Sequence, residues 1–304
     1  MLSTRYIKNL IITVGFLTLL LTLSSCDHSA STKEEGLTVT DLMGRRVTLD
    51  KKPQRIVSLV PSATEILFEI GAKDMVVGVT EFDTYPEEVK RLPKVGGFKT
   101  PNLELLVSLK PDLAIISRII GKEVAYRIES FGIPTLVLDS EKLDDLFYVI
   151  DTLGKITGRE KASRALRERL EREFSHFRSL TRNLPKVKVL HIASIRENFV
   201  AGRGTFIDEV INMAGGENVV DAKGFVKLSV EEVLRKNPEV IITSPHAGRV
   251  EDLKRLPGYR ETDAVKNNRI CIISSDDIIA RPGPRIVLGI REVLRCLHPE
   301  LKVE

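Results

Sequence analysis

The chain has 304 residues, of which 42% are hydrophobic and 29% are charged, and this balance predicts at least one well-buried core. The length fits two domains better than one. The 46 Lys and Arg residues nearly balance the 42 Asp and Glu residues and form no basic block, so nothing in the composition indicates nucleic-acid binding.

The N-terminus predicts export. A positively charged start precedes the apolar stretch Leu10–Leu23, which is shorter than the roughly 20 residues that a membrane-spanning helix needs. The following Leu-Ser-Ser-Cys26 matches the bacterial lipoprotein pattern, in which the Cys is acylated and becomes the first mature residue. We therefore predict a signal peptide over residues 1–25 and, over residues 26–50, a lipidated Cys26 with a flexible tether and a short lead-in. Such a protein is held by its acyl chains and faces the periplasm or the cell exterior.

From Arg55 the chain alternates short β-branched runs with helical patterns, which predicts α/β layers with mainly parallel sheets. Ser62-Ala-Thr-Glu65 has the pattern of a capping box that starts a helix, and Gly71 is placed to end that helix. The predicted strands are Arg55–Val60, Met75–Thr80, Leu113–Ser117, Thr135–Leu138, Val187–Ala193, Val240–Thr243 and Ile270–Ile273.

Two segments can be laid on each other. Residues 102–117 and 229–244 share an N-cap residue, a short amphipathic helix, a Pro followed by an acid, and a buried strand. The repetition predicts two similar α/β lobes, over residues 51–140 and 186–304.

The helical spacing of apolar residues over 141–185, between the lobes, predicts connecting helices. The second and longer helix is predicted from Arg159 to Leu184. Its charged face carries i,i+4 pairs, namely Arg164/Glu168, Arg167/Glu171 and Arg169/Glu173. The predicted fold is therefore α/β, with two Rossmann-like lobes bridged by a single long α-helix. The alternative is a solvated helix packed on one lobe.

Two Cys residues remain after the lipobox. Cys271 falls in a predicted strand and Cys296 in a predicted terminal helix. An oxidising compartment permits a disulfide between them, but two buried free thiols fit the sequence equally well.

Catalytic signatures are weak. The five His residues lack metal-ligand spacing, Gly202-Arg-Gly204 lacks the third Gly of a dinucleotide loop, and no nucleophile elbow occurs. Asp276 with Arg281 is an acid/base candidate, although a structural ion pair or a ligand clamp is the commoner explanation. We therefore expect no enzyme, no catalytic residues, no metal site and no resident cofactor.

Loops at the carboxyl ends of parallel strands line the crevice in open α/β sheets. Aromatic residues make up only 5% of the chain, yet several fall in Gly- or Pro-bearing loops. Each ring alone is either a core filler or a ligand contact, but together they indicate a large, flat, partly apolar ligand. The candidate ligand-binding residues are Pro61, Phe82, Tyr85, Phe98, Arg118, Phe199, Phe225, Asp276 and Arg281.

The order and spacing of several short motifs resemble those of the periplasmic binding proteins of iron-siderophore, haem and cobalamin ABC importers. The motifs are Arg55-Ile-Val-Ser-Leu-Val-Pro-Ser-Ala-Thr-Glu65, Val77-Gly-Val-Thr-Glu-Phe-Asp-Thr-Tyr-Pro86, Val95-Gly-Gly-Phe-Lys-Thr-Pro-Asn-Leu-Glu104, Lys110-Pro-Asp-Leu113, Gly215-Gly-Glu217 and Pro284-Arg285. The similarity covers about Arg55 to Leu297 and is closest to the cobalamin-binding members.

The resemblance implies a ligand held between two lobes and passed to an inner-membrane ABC permease with its ATPase. It places ligand-facing rings at Tyr85, Phe98, Phe199 and Phe225, with cobalamin or another corrinoid as the ligand and haem or a ferric siderophore as the alternative. Two departures are a Ser at position 117, where cobalamin-binding members carry a large aromatic residue, and one extra residue between Asp276 and Pro284.

The resemblance also implies one permease-docking acid on each lobe. Glu123 and Glu231 match by position, whereas the internal repeat pairs Glu231 with Glu104, so the N-terminal partner stays open between Glu123 and Glu104. We expect a monomer.

Overall fold

The computed structural model describes residues 36–97 and 99–301. The predicted signal peptide, the lipidation site Cys26 and the ligand candidate Phe98 lie outside the described residues. No helix within the described ranges is long and apolar enough to cross a membrane.

The described chain opens with an antiparallel hairpin of β1, Leu37–Thr40, and β2, Arg46–Leu49. Its turn is closed by the Asp41 carboxylate, which accepts hydrogen bonds from the backbone N–H groups of Met43 and Arg45. This hairpin occupies most of the lead-in that precedes residue 51. Two four-residue strands carry too weak an alternation to be recognised without their turn bonds.

The N-terminal lobe is built on a parallel sheet with strand order β4-β3-β5-β6. Helices follow or precede the strands on both faces, which explains why β3, β5 and β6 are buried along their whole length. The elements in chain order are β3 Ile56–Ser58, α1 Pro61–Glu69, β4 Val76–Val79, α2 Leu103–Ser108, β5 Leu113–Ile116, α3 Lys122–Ser130 and β6 Thr135–Val137.

The start of α1 corrects the predicted capping box. The helix begins at Pro61, and its N-cap Val60 makes no side-chain hydrogen bond to the helix. Pro is suited to the first helical position because its missing N–H would have no partner there. Ser62 and Glu65 consequently lie inside the helix, where both are buried. Gly71 follows the helix end with φ of 78°, as its predicted role as a helix stop requires.

The C-terminal lobe has a mixed sheet with strand order β10-β8-β7-β11-β12, and β9 also pairs with β7. β7, β9, β11 and β12 pair in parallel, while β8 and β10 form an antiparallel extension. The strands are β7 Val187–Ser194, β8 Phe199–Ala201, β9 Gly216–Asn218, β10 Phe225–Lys227, β11 Val240–Thr243 and β12 Ile270–Ile272.

Two connecting helices, α4 Leu143–Thr157 and α5 Glu160–Thr181, lie between the lobes. The helices of the C-terminal lobe then follow as α6 Phe206–Met213, α7 Val230–Lys236, α8 Val250–Arg255, α9 Asp263–Lys266, α10 Asp277–Ala280 and α11 Ile286–Leu297.

The repeated segments fold alike. Asn102 caps α2 by accepting from the N–H of Leu105, and Ser229 caps α7 by accepting from the N–H of Glu232. Each short helix then leads into a fully buried parallel strand, β5 or β11. The two sequences are similar because they build the same helix-to-strand unit, one in each lobe.

Helix α5 has 22 residues and is therefore about 33 Å long. Of its three predicted intrahelical pairs, only Arg167 with Glu171 forms, at 2.8 Å. Arg169 instead pairs with Glu69 of α1 at 2.9 Å, and Glu173 pairs with Arg291 of α11 at 3.4 Å. These contacts tie α5 to both lobes, so the alternative of a helix packed on one lobe was wrong.

Cys271 of β12 and Cys296 of α11 form a disulfide, with their Cα atoms 6.0 Å apart. This outcome settles the choice that the sequence left open. The bond fastens the last helix to the edge strand of the C-terminal sheet.

Replacing both Cys271 and Cys296 by Ser should lower the free energy of unfolding by about 3 kcal/mol, because a cross-link that closes a loop of this size restricts the unfolded chain. Urea unfolding of the wild type and the variant measures the difference. The control is reductant, which should shift the midpoint of the wild type but not that of the variant. Equal midpoints for both proteins would contradict a stabilising role.

Candidate functional site

Six of the candidate ligand-binding residues follow the carboxyl ends of strands in the two lobes. Pro61 comes after β3, Phe82 and Tyr85 come after β4, and Arg118 comes after β5. In the C-terminal lobe, Asp276 and Arg281 follow β12, the edge strand of the sheet. Because the carboxyl ends of parallel strands meet at one edge of a sheet, these loops gather on one side of each lobe.

Phe199 and Phe225 form a stacked ring pair. They lie on the antiparallel strands β8 and β10, and their ring centroids are 5.5 Å apart with planes inclined by 22°. Phe225 is 45% exposed, whereas Phe199 is half-buried. The pair therefore presents an outward aromatic face that is supported from behind by a second ring.

Two further rings project from the loop after β4. Phe82 and Tyr85 are 46% and 44% exposed. Between them, the buried Asp83 carboxylate accepts from the N–H and the hydroxyl of Thr80 at 2.8 and 2.6 Å. Burial raises the pKa of Asp83, and hydrogen bonds from Thr64 and Thr80 oppose that shift. The loop is held from inside while its rings face outward.

A buried ion pair that the sequence did not predict joins the two lobes. Arg285, next to the start of α11, donates to both carboxylate oxygens of Glu65 in α1, at 2.9 and 2.6 Å. Burial raises the pKa of Glu65, while the hydrogen bond and charge of Arg285 oppose the shift. The guanidinium carbon of Arg285 also lies 4.3 Å from the centroid of the Tyr85 ring. The sequence feature that pointed to this pair was Glu65 on the buried side of an apolar helix. The capping-box interpretation gave Glu65 a different role.

The proposed acid/base pair of Asp276 with Arg281 does not form. Arg281 pairs with Asp277 at 2.8 Å, and Asp276 pairs with Nδ1 of His246 at 2.9 Å. Asp277 is the first residue of α10 and Arg281 follows its last residue, so the pair spans this short helix. Asp277 also accepts from the hydroxyl of Thr84 at 3.0 Å, so it touches the loop of the other lobe.

Arg118 is committed to its own lobe. Its guanidinium donates to Asp139 at 3.2 Å and pairs with Glu141 at 2.9 Å. It borders an apolar cavity of about 280 Å³ whose walls include Ile116, Ile120, Ala125 and Val137.

The three candidate docking acids are exposed. Glu104, Glu123 and Glu231 each occupy the first turn of a helix, α2, α3 and α7 respectively. Each of these helices leads into a parallel strand and therefore begins near the carboxyl-end edge of its lobe. All three acids thus lie on the carboxyl-end side of the sheet in their lobe.

Within residues 36–97 and 99–301, no group of three or more His, Cys, Asp and Glu side chains is placed to hold a metal ion. The loops that carry the candidate residues contain aromatic faces and ion pairs, an arrangement suited to holding a ligand.

The sequence and fold are similar to those of known transport proteins. A family profile described as "Periplasmic binding protein" matches residues 56–276. An uncharacterised ABC transporter substrate-binding lipoprotein, YvrC of Bacillus subtilis (strain 168), is 30% identical over 285 residues, 90% of each chain. A vitamin B12-binding protein of Vibrio vulnificus (strain YJ016) is 31% identical over 83% of this chain and 92% of its own length.

Solved structures give the same picture. The periplasmic haem-binding protein RhuT of Roseiflexus sp. RS-1 matches with a TM-score of 0.74 and 29% identity over 81% of this chain and 98% of its own. The periplasmic vitamin B12 binding protein BtuF of Vibrio cholerae matches with a TM-score of 0.73 and 25% identity over 83% and 99% of the two chains. The predicted fold class of two α/β lobes is confirmed.

His191 lies on β7 and is fully buried, and neither of its ring nitrogens has a hydrogen-bond partner in the described part of the chain. Burial lowers the pKa of His191 to about 4, although the nearby charge of Asp276 opposes the shift. The folded protein therefore holds this ring neutral at pH values where an unfolded chain would already be protonated.

The folded pKa of His191 lies below the ordinary value of 6.5, so stability is complete above pH 6.5 and is lost as the pH falls toward 4. Because the unfolded chain takes up a proton at His191 and the folded protein does not, the free energy of unfolding should fall by about 3 kcal/mol between pH 7 and pH 4. Urea unfolding at both pH values should show a smaller difference in His191→Leu. The exposed His176 supplies the control, since His176→Leu should keep the wild-type pH dependence. The same dependence in His191→Leu and the wild type would refute the role of His191.

Proposed function

The chain belongs to the periplasmic binding protein family, and we propose that it captures cobalamin or a related corrinoid between its lobes for an ABC importer. It is the substrate-binding component of such an importer, and its family consists of transporter components, not enzymes. It delivers its ligand to a membrane permease.

The observation that carries the corrinoid proposal is the distribution of exposed rings over two lobes. The stacked pair of Phe199 and Phe225 belongs to the C-terminal lobe, and Phe82 and Tyr85 belong to the N-terminal lobe. Rings on both sides of a groove suit a broad, flat guest, because each buried ring contributes about 1.5 to 3 kcal/mol of contact without ordering long side chains. The vitamin B12-binding relatives agree with this ligand class.

Haem is the second candidate, and one observation favours it. Tyr85 is 44% exposed in the loop after β4, and a Tyr oxygen is an established ligand of haem iron. The haem-binding protein RhuT shares the fold at 29% identity. In both cases the iron or cobalt belongs to the cargo, so the protein needs no metal of its own.

We further propose that Cys26 is acylated and that the acyl chains hold the protein at the outward-facing surface of a membrane. We also propose that the protein is a monomer. The lipoprotein pattern of Leu-Ser-Ser-Cys26 supports the anchor, and the relative YvrC is named as a lipoprotein. The protein then works in the periplasm or at the cell exterior, within reach of the permease.

Phe225→Ala should weaken corrinoid binding by about 1 to 3 kcal/mol, because it removes the outward stacking face and leaves the buried core intact. Titrating the purified protein with cyanocobalamin, haemin and a ferric siderophore identifies the preferred ligand and measures the loss. Phe131→Ala is the matched control, since that ring is 54% exposed but lies at the end of α3.

Saturable binding of the corrinoid alone is the expected result. Saturable binding of haemin that is lost in Tyr85→Ala would replace the corrinoid by haem. An unchanged affinity in Phe225→Ala would remove this ring from the ligand contacts.

Reversing both Glu123 and Glu231 to Arg should abolish ligand uptake by cells while ligand affinity in solution stays unchanged, because the acids would contact the permease and not the cargo. Uptake of labelled ligand and equilibrium titration measure the two effects. Pairing Glu231→Arg with Glu104→Arg instead tests the other N-terminal candidate. Glu168→Arg, on the exposed face of α5, is the control. Normal uptake in both reversed pairs would contradict the docking role.

A further inference from the structure

Arg285 makes three interactions that all reach beyond its own lobe or its own helix. It pairs with Glu65 of the N-terminal lobe, it lies over the ring of Tyr85, and its guanidinium is 3.9 Å from the carboxylate of Asp277. The side chain of Arg285 is 18% exposed and that of Glu65 only 3%. Two of these three contacts of the Arg285 guanidinium are therefore with the other lobe.

The ion pair fixes the plane of the guanidinium. Two parallel hydrogen bonds to one carboxylate leave a guanidinium little rotational freedom. A planar cation held in this way is a rigid platform for an aromatic ring, and the 4.3 Å separation from the Tyr85 centroid is a cation–π contact.

Thr84, the residue before Tyr85, also contacts the C-terminal lobe. The Thr84 hydroxyl donates to Asp277 at 3.0 Å, and Asp277 is in turn paired with Arg281. Two consecutive residues of the N-terminal loop therefore take their positions from the C-terminal lobe. Tyr85 nevertheless remains 44% exposed, so part of its ring stays available to a ligand.

We propose that Arg285 is a positioning residue for Tyr85, holding one face of the ring so that the rest is presented to the ligand in the groove. The proposal rests on the proposed function in taking Tyr85 as a ligand contact. It makes the position of this ring depend on the relative position of the lobes, because Arg285 and Tyr85 lie on different lobes.

The first test needs no ligand. The chain contains five Tyr residues, so the full protein labelled with 3-fluorotyrosine gives a fluorine NMR spectrum in which Tyr85→Phe identifies one resonance. Arg285→Lys keeps the charge but loses the planar fork, and it should move and broaden the Tyr85 resonance. Arg291→Lys, on the helix that follows Arg285 and also in an ion pair, should leave that resonance in place.

The second test is a double-mutant cycle on corrinoid affinity. If haemin is the bound ligand and Tyr85→Ala abolishes its binding, the fluorine NMR comparison alone decides the role of Arg285. Arg285→Lys should weaken binding about tenfold in the wild type. In the Tyr85→Ala background the same substitution should change affinity less than twofold, because the ring through which Arg285 acts is absent. A role of Arg285 in stability alone would give the same loss in both backgrounds.

Thermal unfolding identifies variants that fail to fold. If Arg285→Lys is one of them, Glu65→Gln replaces it, because this substitution removes the charge that pairs with Arg285 and leaves residue 285 unchanged. An unmoved Tyr85 resonance, or an equal loss of affinity in both backgrounds, would overturn the proposal. If the wild type binds none of the three ligands, the proposed corrinoid or haem function fails, and the NMR comparison alone decides the role of Arg285.

Discussion

The buried ion pair between Glu65 and Arg285 is the constraint on which the arrangement of the two lobes depends. Taking two charges out of water costs several kcal/mol for each ion, and only good geometry offsets that cost. Here the geometry is a paired contact through two hydrogen bonds of 2.6 and 2.9 Å. Moving one lobe away from the other would break both hydrogen bonds and expose both charges to water. The pair therefore favours the spacing of the lobes at which both hydrogen bonds form.

Other contacts restrict the same movement. Helix α5 has no loop residues to absorb a hinge rotation, and its side chains reach Glu69 in one lobe and Arg291 in the other. The disulfide fastens Cys271 to Cys296 and so closes the segment that carries Asp277, Arg281 and Arg285. The C-terminal partner of the ion pair is thus attached to its own sheet at both ends of that segment.

Much of the fold could be predicted because it depends on local pattern. The strand Val240–Thr243 is a buried β-branched run, and its observed bounds are those predicted. The capping box failed because Pro61 is a better first helical residue than the sequence pattern around Ser62 indicated.

The candidate site was harder to predict, because its contacts depend on where distant segments meet. Loop composition identified Phe199 and Phe225, but their stacking depends on the register of β8 against β10. The contact of Glu65 with Arg285 spans 220 residues, and no spacing rule within a helix or hairpin reaches so far. The ion pair and helix α5 oppose a large closing motion of the lobes. Ligand selection therefore depends mainly on the residues that line the groove. Selection then depends on how well each ring is held, and Tyr85 is the ring whose support comes from the opposite lobe.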